Sequence, residues 1–67
     1  MNWNKVTIQG TVVDGLFHQG KLLGYVKLNQ DPKQPYWRLY LGDNRLFFQV
    51  YDRGESMRVL EEVMKKV

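Results

Sequence analysis

Residues 36–51 of this 67-residue chain alternate apolar and polar side chains so regularly that they predict a β-hairpin with chemically distinct faces. One face holds Trp37, Leu39, Leu41, Leu46, Phe48 and Val50. The other holds Tyr36, Arg38, Tyr40, Arg45, Phe47, Gln49 and Tyr51. The turn centre falls on Asp43-Asn44, residue types that tolerate the positive φ of a tight hairpin. On the apolar face this register opposes Leu41 to Leu46, Leu39 to Phe48 and Trp37 to Val50. On the second face it opposes Tyr40 to Phe47, Arg38 to Gln49 and Tyr36 to Tyr51. A slip of one residue would set every apolar side chain across from a polar-face one.

Upstream, Lys5 to Val13 reads as one strand. Val6 and Ile8 share a parity, while Val13 and Phe17 have the opposite one. A bulge at Gly10 would reconcile them, and Asp14-Gly15 is a second place for such an irregularity. Gln19-Gly20 reads as a tight turn opposing Phe17 to Leu22 and Val13 to Val26. The strand from Lys21 to Asn29 then carries Leu22, Gly24, Val26 and Leu28 on one side. Lys21, Leu23, Tyr25 and Lys27 lie on its other side. Asn29 to Pro35 is a loop, because its two prolines rule out a continuous central strand.

After the 36–51 hairpin, Asp52-Arg-Gly-Glu55 has capping-box spacing, with Ser56 as an alternative cap. Met57, Leu60, Val63, Met64 and Val67 follow at helical intervals, predicting one amphipathic helix over 54–66. Arg58, Glu61, Glu62, Lys65 and Lys66 occupy its other side. Acids towards the start and lysines at the end suit the helix dipole.

The order is β-β-β-β-α in a single small domain, 1–67, of the α+β class. Two hairpins make a four-stranded antiparallel sheet, and the helix stripe matches Trp37, Leu39, Phe48 and Val50. Gly10, Gly15 and Gly24 permit curling, so both an open sheet and a small, partly open barrel fit. In architecture the order resembles one unit of the Whirly and related coactivator single-strand DNA binders. Size, basic balance and the C-terminal helix also resemble the small chromatin proteins of thermophilic archaea. No motif carries either resemblance, and neither implies a role for a particular residue.

Size and composition narrow the chemistry. A chain this short buries only about 60% of its unfolded surface, so it needs a dense core or a second subunit. There is no cysteine, hence no disulfide and no thiolate metal site, and one histidine, His18, builds no zinc site alone. His18 reads as a turn residue, and Ser56 as a cap rather than a nucleophile. No motif pairs the acids for proton transfer, and the glycines have no phosphate-cradling spacing. An enzyme, a metal site and a cofactor are therefore not expected. The first residues lack a signal-peptide pattern and no segment approaches the about 18 apolar residues of a membrane span, which predicts a cytoplasmic protein.

The net charge of +3 fits a polyanionic partner, and its distribution sharpens the point. Asp14, Asp31 and Asp43 fall in or near predicted turns, and Asp52, Glu55, Glu61 and Glu62 around the helix. The second sheet face is left with rings and cations, namely Tyr25, Lys27, Tyr36, Arg38, Tyr40, Arg45, Phe47, Gln49 and Tyr51, together with Lys5 and Lys21. Single-stranded nucleic acid is bound by this combination, rings stacking on bases while cations follow phosphates. The same residue types also stabilise sheets and populate protein interfaces. The alternative is therefore a protein-interaction module burying this face, either a homodimer or a small inhibitor or adaptor of the kind phages and mobile elements encode. Trp3 reads as a plug for one end of the core.

Overall fold

The computed structural model describes residues 1–29, 33, 36–42 and 45–66, with Phe47 described by its backbone alone. It shows five strands and one helix: β1 (Asn2–Ile8), β2 (Thr11–His18), β3 (Lys21–Leu28), β4 (Trp37–Leu41), β5 (Leu46–Val50) and α1 (Arg53–Lys65). The strands form one antiparallel sheet in chain order, β1-β2-β3-β4-β5, with β1 and β5 as its edges. The sheet is open rather than a closed barrel. This is an α+β fold with one strand more than expected. The four-strand order behind the likeness to Whirly-type units does not hold.

The additional strand comes from the first segment. Gln9 and Gly10 have φ values of 51° and 81°, the left-handed pair that a two-residue hairpin turn requires. The chain reverses there instead of continuing through a bulge, and Val6 pairs with Val13. Residues of unlike parity thereby share a face. Gln19 and Gly20 repeat the geometry with φ of 51° and 78°, and Phe17 faces Leu22 as the pattern predicts.

Two bulges then alter the register. Between Leu16 and Phe17 the β2–β3 pairing slips, so that Asp14, not Val13, faces Val26. Leu22 consequently joins Val6 and Phe17 around Gly15, while Leu23 packs against the core on the helix side. In the second hairpin Trp37–Val50, Arg38–Gln49 and Leu39–Phe48 pair as expected. Beyond them Tyr40 faces Leu46, so the expected Leu41–Leu46 and Tyr40–Phe47 pairs do not form. The Asp43-Asn44 turn centre, Asp31, Val67 and most of the Asn29–Pro35 loop lie outside the described residues.

The core lies between the sheet and α1. Leu16, Val26, Leu39 and Val50 meet Leu60, and Trp3, Leu23, Trp37, Met57, Val59 and Met64 pack around them. Asp52 caps α1 by accepting from the Glu55 amide at 2.8 Å. Ser56 is not a cap: it is fully buried, and its hydroxyl donates to the Arg53 carbonyl at 2.6 Å. From β5 the helix runs diagonally towards β1, where the Trp3 indole N–H donates to Glu61 Oε1 at 2.8 Å. That path leaves Phe48 half exposed, and the bulge turns Leu46 to the Tyr40 side, so neither belongs to the core as expected.

One carboxylate fastens the layers together. Asp14 sits within β2, not at a turn, and is only 7% exposed. It accepts from Lys5 Nζ of β1 at 2.7 Å and from Arg53 Nη2 of α1 at 3.0 Å. Lys5 is therefore engaged on the helix side and does not belong to the aromatic face.

Candidate nucleic-acid interface

Away from the helix, β3 and β4 bring two kinds of side chain into register: Tyr25 pairs with Tyr40, and Lys27 with Arg38. Gln49 continues the second row on β5 and is exposed. The Tyr25 and Tyr40 rings stack at 4.9 Å with 11° between their planes. Tyr25 is only 4% exposed, so it braces Tyr40 from beneath rather than meeting a ligand. Burial, and after it the neighbouring Tyr40, push its phenol above the ordinary range.

Arg38 connects this stack to a second aromatic group. Its Nη2 donates to the Tyr36 hydroxyl at 3.1 Å, and its guanidinium carbon lies 5.5 Å from the Tyr36 ring centre. Tyr36 meets Tyr51 edge to face at 6.4 Å, and Tyr51 is 80% exposed. Hydrogen bonds to the Tyr36 and then the Tyr40 hydroxyl raise the Arg38 pKa above its ordinary value, so its charge is permanent.

The Lys27–Arg38 pairing is the electrostatic centre of the face. Like charges directly across a strand pair disfavour the sheet. Among the described residues no carboxylate pairs with either side chain. A pocket of about 240 Å³ opens beside them, lined by Thr11, Lys27, Leu28, Asn29, Arg38 and Tyr40, with no acid among the described residues of its wall. The Arg38 Nε is buried and has no acceptor among the described residues. A smaller hollow of about 130 Å³ lies against Tyr36, Gln49, Val50 and Tyr51.

The fold thus gathers Lys27, Arg38, Tyr36, Tyr40, Gln49 and Tyr51, withdraws Tyr25 into support, and leaves Arg45 exposed beside the last turn. The side chain of Phe47 lies outside the described residues. Sequence reasoning missed Thr11 and Asn29, since a polar residue read as mid-strand or as a loop start carries no periodic signal. Among the described residues no cluster of three or more His, Cys, Asp or Glu could hold a metal ion. Nor is any described helix long and apolar enough to cross a membrane. No protein-family model matches the chain, and no curated protein or solved structure matches it either.

Proposed function

We propose that this chain is a non-catalytic nucleic-acid-binding domain that prefers single-stranded DNA or RNA. The observation that carries the reading is the Lys27–Arg38 pair, flanked by Tyr40 on one side and Tyr36 with Tyr51 on the other. Phosphates sit on the cations while bases stack on the rings, each stack contributing about 1–3 kcal/mol. The reading implies a location shared with nucleic acid, the cytoplasm.

Fluorescence anisotropy with labelled single-stranded oligonucleotides at several salt concentrations tests it. If Lys27 and Arg38 neutralise about two phosphates, log affinity falls with log salt at a slope of roughly −1.4. Tyr51→Ala weakens binding by about 1–3 kcal/mol, as loss of one stacked base requires. Absence of binding at low salt removes the reading.

A second reading, a protein-interaction module, is favoured by one specific observation. Edge strand β5 carries no charged side chain, and its Leu46 and Phe48 are 45% and 50% exposed. Such an edge is a template for another strand. Its partner would be a second copy of the chain or another protein. Sedimentation over a range of concentrations tests the first case.

A further inference from the structure

We propose that the pocket between Thr11, Lys27 and Arg38 is a binding site for a single phosphate oxyanion. This rests on the nucleic-acid reading and locates within the face the point where the backbone of the strand is gripped. Three observations converge on the same few ångströms. Lys27 and Arg38 oppose each other across β3 and β4, an arrangement that repels in the free protein and is relieved when an anion lies between them. Among the described residues the pocket beside them has no carboxylate in its wall, so none of these competes for the cations. The covered Arg38 Nε lacks an acceptor among the described residues, and an unmet buried donor is costly.

The neighbours fit that ligand. Thr11 supplies a hydroxyl and Lys27 an ammonium, both donors to an oxyanion. Arg38 donates Nη2 to the Tyr36 hydroxyl while its guanidinium rests near that ring. An oxygen entering the pocket draws the guanidinium away from its cover, and Nε–H gains the acceptor it lacks. Charge-assisted bonds of this kind are about twice as strong as neutral ones.

The test uses the full chain labelled with nitrogen-15 and inorganic phosphate as probe. Saturable shifts are expected at the Arg38 Nε–H signal and at the amides of Thr11, Lys27 and Arg38, with far smaller ones at Lys65 and Lys66. Lys27→Met and Arg38→Met, each verified as folded by its dispersed spectrum, should weaken phosphate roughly tenfold or more. Shifts spread evenly over all cationic residues, or phosphate affinity unchanged in both variants, overturn the proposal. An oligonucleotide arm separates the sources of phosphate. A gain in affinity on 5′-phosphorylation that Lys27→Met abolishes assigns the site to strand ends. A salt slope shallower by about 0.7 in the same variant, independent of the terminal phosphate, assigns it to internal phosphodiesters. Localised phosphate shifts without oligonucleotide binding keep the site and remove the wider reading. Oligonucleotide binding indifferent to both substitutions keeps the wider reading and removes the site.

Discussion

Asp14 matters well beyond its own strand, because one carboxylate joins β1, β2 and the first turn of α1. Burial works against its ionised form, but the hydrogen bonds from Lys5 and Arg53 outweigh burial and hold the carboxyl below its ordinary range. A depressed carboxylate contributes stability that is complete above its unfolded value, about 3.9. That contribution is lost as pH falls through the lower folded value. Lys5 and Arg53 are 66% and 50% exposed at their side chains, so solvent screens both partners. Asp14→Asn should therefore cost about 1–2 kcal/mol at neutral pH. In urea titrations from pH 7 to 2, the gap between parent and variant should stay constant at first and close below about pH 4. A gap independent of pH would show that shape and not charge matters there. The sequence could not reveal this role, since the Arg53 partner lies 39 residues away and an Asp-Gly pair normally signals a turn.

At the scale of elements, the chain disclosed what is written locally and concealed what depends on a neighbour. The β4–β5 hairpin, the Gln19-Gly20 turn and the capped helix each have a contiguous signal, and each formed. The Gln9-Gly10 turn was hidden because β-branched residues flank it on both sides and mimic one unbroken strand. The bulges at Leu23 and Phe47 had no signal at all, as they answer to pairing across strands. The candidate face was legible as a set of rings and cations, but the burial of Tyr25 and the loss of Lys5 to Asp14 were not. Gly24 shows how closely the elements fit: a Cβ there would lie 2.6 Å from the Tyr40 carbonyl oxygen and 3.3 Å from Leu60 Cδ1. Because one of those atoms is backbone, β3 and β4 must part to admit it. Gly24→Ala should cost about 1–3 kcal/mol, the range of an overpacked interior. Gly10→Ala, with open space around it but φ of 81°, should cost only about 1 kcal/mol of backbone strain. Chemical denaturation of both variants checks the order, and equal losses would mean that the sheet yields freely at Gly24.

The whole molecule has two edges of unlike character, and they bear on how the binding surface is used. β1 presents Asn2, Asn4 and Lys5, polar residues that discourage further pairing. β5 presents Leu46 and Phe48 with no charge along the strand. Phe48 pairs with Leu39, a core residue, so it lies on the helix side of the sheet and away from Lys27 and Arg38. Strand addition at β5 would extend the sheet without covering the Lys27–Arg38 pocket, whereas contact through Tyr40 and Tyr51 would cover the binding face. Self-association and nucleic-acid binding are therefore separable by substitution. Phe48→Lys places a charge on the edge, a device that blunts strand pairing. Under the interaction reading, the sedimentation coefficient of the parent rises with concentration and that of Phe48→Lys does not, while both bind oligonucleotide equally. Tyr51→Ala should do the reverse, sedimenting as the parent does and binding more weakly. A parent coefficient independent of concentration removes the homodimer. A Phe48→Lys variant that loses oligonucleotide affinity would instead show that the two surfaces are one, with the aromatic face completed only in the assembled sheet.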